Sequence, residues 1–312
     1  MSAEISEEQI ADRKAEASST PLLMRNRFQI VAEVGRGGTS RVFKAIDLVA
    51  QNAGLSDPEV ALKIIPVWEG IDPDLISLMH REARRLRELV HPNIIRVYDM
   101  DVDGIFHFMI MEYLEGQSLA RVLREANGAA LSLAQVNRLV SDLAGALEFA
   151  HASNIIHADL KPGNIFIERT GRVKLIDFNI AWPVARRTRV AEEDTVEILG
   201  RLGALTPIYA SPQRLAHAEP CVGDDVFSLG VIVYIALTGK RPFGEHDARE
   251  AVEKGIVPEQ PEGLSARRWR ALQKAMAFDD QDRTPSVARF AREFMEGPAL
   301  PRPFGLFGGQ SG

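Results

Sequence analysis

The sequence predicts an α+β fold with two lobes, a β-rich first lobe and a mainly α-helical second lobe. Strand-like stretches fill the chain from Phe28 to about Met111, interrupted by a single strong helix at 73–90. These stretches are FQIVAEV, RVFKAIDL, EVALKII, IIRVYDM and FHFMIM. After about Ser118 the apolar residues recur at helical spacing, as at 133–152. Strands followed by helices are typical of the α+β class, and the change of pattern predicts a cleft between two lobes.

The composition excludes several classes of protein. Of the 312 residues, 46% are hydrophobic and 26% are charged, as in an ordinary soluble globular protein. The net charge of −6 argues against a general nucleic-acid-binding protein, which would be basic. The single cysteine, Cys221, cannot form an intramolecular disulfide and suits a reducing compartment. We therefore expect a cytoplasmic protein.

The two ends of the chain differ from its middle. Residues 1–26 are polar, contain no signal peptide and are predicted to be an N-terminal extension. Residues 297–312 are rich in glycine and proline, which is typical of a tail or linker. The longest apolar run, at 229–239, is shorter than the ~20 residues that span a membrane. The folded domain is expected at 27–296, without a membrane partner.

A glycine-rich turn, VGRGGTSRVF, separates the first two predicted strands. It contains Gly35, Gly37 and Gly38, followed by the small Ser40. Glycines between two strands let backbone N–H groups approach an anion closely. The same pattern also fits a flexible hairpin, so the turn alone is weak evidence for phosphate binding.

The third predicted strand carries a cation, Lys63, among apolar residues. The helix after it begins well at Asp72-Pro73, an N-cap aspartate with proline at the first helical position. Glu82 falls in the middle of the apolar stripe of that helix. A carboxylate on a buried stripe needs a cation as its partner, and Lys63 is the candidate.

The loop HADLKPGNIF places opposite charges and an amide within six positions, at Asp159, Lys161 and Asn164. A hairpin centred on a Thr-Gly pair is predicted to follow, and its regular register places Asn164 opposite Asp177. Side chains paired in this way lie roughly 5 Å apart. An amide oxygen and a carboxylate are the hard ligands that suit Mg²⁺. The register therefore favours a phosphate and metal site over a solvated turn.

In motif order over about residues 28–296, the sequence resembles the eukaryotic-like (Hanks-type) protein kinases, and specifically the Ser/Thr kinases of bacteria. The resemblance implies the bilobal protein-kinase fold, with a first lobe at about 27–111, a hinge at 112–116 and a second lobe at 117–296. It implies transfer of the ATP γ-phosphate to protein Ser or Thr hydroxyls with Mg²⁺ or Mn²⁺. A homodimer formed through the first lobe is the association that related kinases suggest.

The resemblance also assigns roles to the residues. Asp159 would accept the proton of the substrate hydroxyl, Lys161 would contact the γ-phosphate, and Asn164 and Asp177 would hold the metals. Lys63 would bind phosphate and pair with Glu82. The further ATP contacts implied are Gly35, Gly37, Gly38, Ser40, Val42, Ala61, Met111, Glu112, Leu114 and Phe166.

Two later motifs resemble the parts that hold the substrate and the catalytic loop. TPIYASPQ resembles the substrate-docking end of the activation segment, with Thr206 bonded to Asp159 and Lys161. DVFSLG resembles the start of a buried central helix, whose Asp225 would steady the catalytic loop. His157 is expected to be a packed, hydrogen-bonded histidine and not a catalyst. The regulatory spine would consist of Leu86, Val97, His157 and Phe178.

The sequence departs from the family pattern at three tripeptides. Ala158 replaces the arginine that binds a phosphorylated activation segment, so we expect activity without that phosphate. Thr188 and Thr195 remain candidates for autophosphorylation. Asn179 replaces a glycine, and asparagine is among the better non-glycine residues at positive φ. In the third tripeptide, Ser211-Pro212-Gln213, a glutamine replaces the glutamate that would pair with Arg283.

Two other functions compete with an active protein kinase. The altered tripeptides favour a pseudokinase that binds partners, whereas the intact set of charged residues counts against it. A small-molecule phosphotransferase of the aminoglycoside-kinase type also fits the small residue before Asp159. Lys161 and the TPIYASPQ motif favour a protein substrate over a small molecule.

Overall fold

The structure of the chain is a computed structural model in which the described residues form two compact units. The first unit comprises Met1–Ile76 and Val97–Leu114, and the second comprises Ser77–Arg96 and Glu115–Gly312. The first is rich in strands and the second in helices, which confirms the predicted α+β class. The residues that the structure describes are 22–36, 41–66, 84, 86–104, 106–177, 182–183 and 207–295.

Six antiparallel strands form the sheet of the first unit, and all five predicted strands are among them. They are β1 (Leu23–Met24), β2 (Phe28–Arg36), β3 (Arg41–Asp47), β4 (Glu59–Pro66), β5 (Val97–Asp103) and β6 (Phe106–Glu112). Their spatial order is β1-β2-β3-β4-β6-β5. The edge strand β1 was not predicted, because it lies in the segment whose composition indicates a polar extension.

Alternation along these strands gives the first unit its core. Phe28, Leu62 and Phe108 are fully buried, and the rings of Phe28 and Phe108 meet edge to face with centroids 6.0 Å apart. The core residues therefore point to one face of the sheet, which leaves the alternate residues for the other face.

At the end of β3, Asp47 caps the short helix α1 (Leu48–Asn52) by accepting two backbone N–H groups.

The helix predicted for the first lobe is described only in part. Residues 84 and 86–88 are helical and group with the second unit, whereas Glu82 lies outside the described residues. Leu86 and Leu89 are buried, as the predicted apolar stripe requires.

Helices dominate the second unit. They are α2 (Leu119–Glu125), α3 (Leu133–Ala152), α4 (Pro212–Leu215), α5 (Val222–Thr238), α6 (Ala248–Lys254), α7 (Ala266–Ala275) and α8 (Val287–Phe294). Helix α3 has the bounds that the apolar spacing predicts. It begins with a capping box, in which Ser132 and Gln135 each accept the backbone N–H of the other.

Helix α5 is the buried centre of the second unit. All its residues from Asp224 to Ala236 are buried, which explains the apolar run at 229–239. The helix ends at Gly239, whose φ of 68° is left-handed. Among the residues that the structure describes, no helix has both the length and the hydropathy to cross a bilayer.

Short strands frame the catalytic-loop sequence in the second unit. They are β7 (Gly116–Ser118), β8 (Ile155–Ile156), β9 (Ile165–Glu168), β10 (Val173–Leu175) and β11 (Trp182–Pro183). Strands β9 and β10 form the predicted hairpin, β7 adds to its β9 edge, and β11 pairs with β8.

The register of this hairpin differs from the predicted one by a single residue. Ile176 donates its backbone N–H to the carbonyl oxygen of Asn164 at 3.0 Å, so these two residues lie opposite each other. The predicted pairing of Asn164 with Asp177 is therefore wrong. Asp177 follows one position later, beyond the end of β10.

The turn explains the shifted register. Glu168 donates its N–H to the carbonyl oxygen of Arg172 at 2.9 Å, which leaves a three-residue loop between them. Gly171, the last residue of that loop, has a left-handed φ of 79°. A three-residue loop with glycine in this position is a common hairpin connection, whereas the prediction assumed a two-residue centre.

Candidate active site

The loop after β8 brings three of the predicted site residues together. Lys161 Nζ lies 2.6 Å from Asp159 Oδ2, and Asn164 Nδ2 donates to the carbonyl oxygen of Asp159 at 3.0 Å. A 3-10 turn over Pro162–Asn164 returns the chain toward Asp159, and proline suits its first position because its φ is fixed and it has no N–H. A carboxylate, an ammonium group and an amide thus meet within one short loop.

The electrostatic setting of Asp159 favours proton acceptance. Asp159 is buried, whereas the Lys161 side chain keeps a quarter of its surface exposed. Burial raises the pKa of the Asp159 carboxyl, and the charge of Lys161 opposes that shift. A carboxylate with a raised pKa is a better general base near neutral pH than one in water.

Asp225, at the start of α5, binds the backbone of this loop. Its carboxylate accepts the backbone N–H groups of His157 and Ala158 at 2.9 Å each, and it lies 2.7 Å from His151 Nε2. Burial alone would raise the pKa of Asp225, but the hydrogen bond and charge of His151 and the N–H of His157 hold it below its ordinary value. The contact by which Asp225 was predicted to steady the loop is therefore made by a charged carboxylate.

The loop backbone adopts a left-handed conformation at Ala158, where φ is 61°. Residues with a Cβ pay roughly 1–2 kcal/mol for this conformation. His157 beside it is fully buried, and its Nδ1 accepts the backbone N–H of Asp159 at 3.3 Å. Burial lowers the pKa of His157, as expected for a packed, neutral histidine.

Asn164 and Asp177 remain candidates for a metal site despite the shifted register. Because Asn164 uses Nδ2 to bind the Asp159 carbonyl, its Oδ1 is the amide atom left for a cation. The Asp177 carboxylate supplies a second hard oxygen donor, and this chemistry fits a divalent ion such as Mg²⁺. In the described part of the chain, no group of three or more His, Cys, Asp or Glu side chains is arranged so that it could hold a metal ion.

Four of the predicted ATP contacts share one face of the sheet in the first unit. Lys63 on β4 pairs with Val42 on β3, and Ala61 on β4 pairs with Met111 on β6. Directly paired residues point to the same side, and so do residues two apart on one strand. This is the face opposite to the Phe28 core. We call the face that carries Val42, Ala61, Lys63 and Met111 the nucleotide face. The grouping of these four residues on it follows from strand register.

Four other predicted contacts are among the described residues. Gly35 pairs with Val42 beside the glycine-rich turn, and Glu112 is the last residue of β6. Leu114 is half-buried and ends the first unit. Phe166 is half-buried on β9 of the second unit.

Nine of the predicted residues lie outside the described residues, and their roles stay predictions. For the same reason the regulatory spine, which needs Phe178, stays a prediction. The nine are Gly37, Gly38, Ser40, Glu82, Phe178, Asn179, Thr188, Thr195 and Thr206.

The substrate-docking motif ends in a hydrogen-bonded contact between Gln213 and Arg283. Arg283 Nη2 donates to Gln213 Oε1 at 2.9 Å, while Gln213 Nε2 donates to the carbonyl oxygen of Phe278 at 2.7 Å. Glutamine thus keeps the hydrogen bond that the family glutamate would make, but it supplies no charge to Arg283.

Sequence reasoning missed two residues of this region, His151 and Asp224. His151 contacts Asp225, and the signal for it was a polar residue at the end of the apolar helix 133–152. Asp224 accepts the hydroxyl of Ser211, and its signal was the acidic pair that precedes VFSLG.

Comparison with known proteins gives consistent matches. The family model described as protein kinase domain matches residues 28–295. The chain is 32% identical over 243 residues to the serine/threonine-protein kinase PrkC of Bacillus subtilis, covering 78% of this chain and 35% of that protein. It is 31% identical over 287 residues to the serine/threonine-protein kinase PknB of Mycobacterium leprae, covering 89% of this chain and 44% of that protein.

A third relative carries a different name. The chain is 31% identical over 297 residues to the tyrosine-protein kinase MasK of Myxococcus xanthus, covering 88% of this chain and 44% of that protein. The chain therefore spans less than half the length of each of these three curated relatives.

Proposed function

This chain belongs to the protein kinase family, as the sequence resemblance predicted, and from that premise we propose that it transfers the γ-phosphate of ATP to Ser and Thr hydroxyls of proteins. Two of the three relatives described above are named serine/threonine-protein kinases, which supports this choice of acceptor. Protein kinases use ATP and a divalent metal ion. For this chain we propose Mg²⁺ or Mn²⁺.

The observation that carries the proposal is the joint geometry of Asp159, Lys161 and Asn164. A loop that served only as a solvated turn would have no reason to bury a carboxylate beside an ammonium group 2.6 Å away. The cost of burying that carboxylate is offset by its ion pair and by the loop's anchor on Asp225.

The proposed mechanism assigns one step to each group. The Asp159 carboxylate accepts a hydrogen bond from the substrate hydroxyl, orients its oxygen toward the γ-phosphorus and receives its proton. As the new oxygen–phosphorus bond forms, the bond from the γ-phosphorus to the β,γ-bridging oxygen breaks and ADP leaves with that oxygen. Lys161 donates to a γ-phosphate oxygen and stabilises the negative charge of the transition state. When bound, the metal ion neutralises phosphate charge, and Asn164 and Asp177 would hold it through their side-chain oxygens.

Residues of the nucleotide face are proposed to bind ATP. Lys63 contacts the phosphates as a cation, with Glu82 as its partner. Val42, Ala61 and Met111 provide an apolar surface for the adenine ring, and the backbone groups of Glu112 and Leu114 are proposed to hydrogen-bond with it. The shared face of Val42, Ala61, Lys63 and Met111 supports this assignment.

Protein substrates are favoured over small molecules by the segment that ends in Gln213. This segment is tied to the helical unit at two points, because Ser228 Oγ donates to the carbonyl oxygen of Tyr209 and Arg283 donates to the side chain of Gln213. A fixed segment offers a peptide a constant surface.

Further parts of the proposal come from the sequence and the resemblance. The folded domain is proposed to span 27–296, the single cysteine suits a cytoplasmic location, and related kinases suggest a homodimer through the first lobe. Light scattering of the purified chain tests the dimer, and a monomer at micromolar concentration would contradict it.

A pseudokinase is the second candidate, and Ala158 and Gln213 are the observations that favour it. One experiment separates the candidates. The purified chain is incubated with ATP–Mg²⁺, a generic basic protein and kanamycin, and phosphorylated products are identified by mass spectrometry. We expect phosphoserine or phosphothreonine on protein. ATP binding without transfer would support the pseudokinase, phosphokanamycin the small-molecule enzyme, and phosphotyrosine alone a tyrosine kinase.

A further inference from the structure

The docking segment, as we call residues 207–213 of the TPIYASPQ motif, is joined near its end to the first turn of α5 by a buried cluster. Ser211 Oγ donates to Asp224 Oδ1 at 2.5 Å and accepts the backbone N–H of Arg214 at 3.1 Å, so the hydroxyl both caps α4 and binds α5. The other carboxylate oxygen, Asp224 Oδ2, accepts the backbone N–H of Cys221 at 2.7 Å. Asp224 is thereby fixed at both of its oxygens.

The same carboxylate lies beside the buried guanidinium of Arg283. Arg283 Nη1 is 4.0 Å from Asp224 Oδ1, and the two side chains keep only 1% and 2% of their surface exposed. The hydrogen bonds of Arg283 go to neutral acceptors, namely Gln213 Oε1 and the carbonyl oxygens of Ala277, Gly223 and Phe278. Its guanidinium also lies over the neutral ring of Phe227, 5.1 Å from the ring centroid. A cation buried this deeply requires a negative charge nearby, which Gln213 does not provide.

Burial and neighbouring groups shift the pKa values of both Asp224 and Arg283. Burial and the neighbouring Asp225 raise the pKa of the Asp224 carboxyl, whereas Ser211, the Cys221 N–H and Arg214 oppose the shift. Burial lowers the pKa of Arg283, and Asp224 is the largest opposing influence. Asp224 thus offsets part of the cost of burying Arg283.

We propose that Asp224 is a positioning residue that replaces the missing glutamate at position 213: it neutralises Arg283 and, through Ser211, holds the docking segment against α5. The carboxylate absent from position 213 and the hydroxyl present at Ser211 are then parts of one arrangement. Position 213 has no carboxylate. The carboxylate of Asp224 on α5 lies near Arg283 in its place and binds the hydroxyl of Ser211. The catalytic part of this inference rests on the proposed kinase function, whereas the anchoring part does not.

The test uses three variants of the full chain: Asp224→Asn, Asp224→Ala and the double variant Asp224→Ala/Gln213→Glu. Asn keeps an acceptor for Ser211 but removes the charge, and Ala removes both. The double variant returns a carboxylate to Arg283 from the position where the family has it. Each is measured for KM of a protein substrate, KM of ATP and hydrogen exchange of backbone amides at 211–216.

We expect Asp224→Ala to raise the protein-substrate KM by roughly tenfold or more while the ATP KM changes less than about twofold. Amide exchange at 211–216 should accelerate in Asp224→Ala. Both measurements for Asp224→Asn should lie between those of wild type and Asp224→Ala, and Gln213→Glu in the double variant should restore most of what Asp224→Ala loses. If Asp224→Ala folds, failure of the double variant to recover substrate binding would overturn the proposal. If Asp224→Ala does not fold, failure of the double variant to recover folding would overturn it. An equal rise of both KM values would do so too.

The two proposals fail in different ways. A wild-type chain that transfers no phosphate would contradict the proposed function, yet the exchange measurement would still test the anchoring by Asp224. Wild-type exchange at 211–216 in Asp224→Ala would contradict the anchor in a chain that remains a kinase.

Discussion

The Asp225 carboxylate accepts the backbone N–H of Ala158 at 2.9 Å, and Ala158 keeps a left-handed backbone there. An alanine would leave this conformation if nothing held it, since the conformation costs roughly 1–2 kcal/mol. The buried helix α5 therefore fixes the path of the chain one residue before Asp159. The position of the proposed base depends on a residue that does not touch the substrate.

Removal of Asp225 should be strongly destabilising. We expect Asp225→Ala to lower the free energy of unfolding by about 3–5 kcal/mol, because it leaves two backbone N–H groups and His151 without their charged acceptor. Urea unfolding measures the loss. Asp247 is a matched control, since it also accepts two backbone N–H groups at 2.9 Å but is only half-buried. Asp247→Ala should cost about 1 kcal/mol. Equal losses would contradict the role of burial at Asp225.

Two glycines that end helices should respond differently to the same substitution. Gly239 and Gly255 are both left-handed, at φ 68° and 64°. A Cβ on Gly239 would lie 2.0 Å from the carbonyl oxygen of Gly128, whereas nothing lies within 4 Å of one on Gly255. We expect Gly255→Ala to cost roughly 1–2 kcal/mol from backbone strain alone and Gly239→Ala about 3 kcal/mol or more. Thermal unfolding of both variants tests this, and a Gly239→Ala loss no larger than that of Gly255→Ala would contradict the predicted backbone clash.

Glu33 ties together the two strands that flank the glycine-rich turn. It pairs with Arg36 on β2 and with Arg41 on β3, and these hydrogen bonds lower its pKa to about 2. Because the folded-state pKa lies below the ordinary value of 4.5, the pairs stabilise the fold above that pH and lose their effect as the pH falls toward 2. NMR titration of the Glu33 carboxyl should show this low pKa at low ionic strength.

The same titration has a built-in control. Arg36→Gln and Arg41→Gln should each raise the Glu33 pKa, and about 1 M salt should do so in the wild type because the pairs are exposed. A wild-type Glu33 that titrates near 4.5 would show that the two arginines do not bind it in solution.

The activation segment should not need a phosphate. Ala158 cannot pair with a phosphorylated residue as the family arginine does, so Thr188→Ala/Thr195→Ala should retain phosphorylation of an added protein substrate within about threefold. Phosphatase-treated wild type is the second arm of the assay. A drop of tenfold or more in both arms would show that another cation takes the place of the arginine.

Local patterns were enough to predict five of the six strands in the first unit and the longest helix. Strand-like stretches located β2 to β6, and apolar spacing located α3 to the residue. The hairpin register was off by one, because loop length depends on whether Gly171 closes a two-residue or a three-residue turn. A single left-handed residue decides that question, and composition does not reveal it.

The site could be predicted only where a motif carried it. Asp159, Lys161 and Asn164 lie in one short loop, so their contact is local in sequence. The bonds from His151 to Asp225 and from Ser211 to Asp224 join residues 74 and 13 positions apart. Those contacts require the packing of α5 against the loops, and no spacing rule in one sequence encodes it.

Phosphotransfer by Asp159→Asn is the measurement that tests the central claim most directly. Asparagine keeps the size of the side chain but cannot take the hydroxyl proton, so the kcat for protein phosphorylation should fall by at least about a hundredfold while the Kd for ATP stays within a few-fold of wild type. Wild-type turnover in this variant would contradict the assignment of Asp159 as the base.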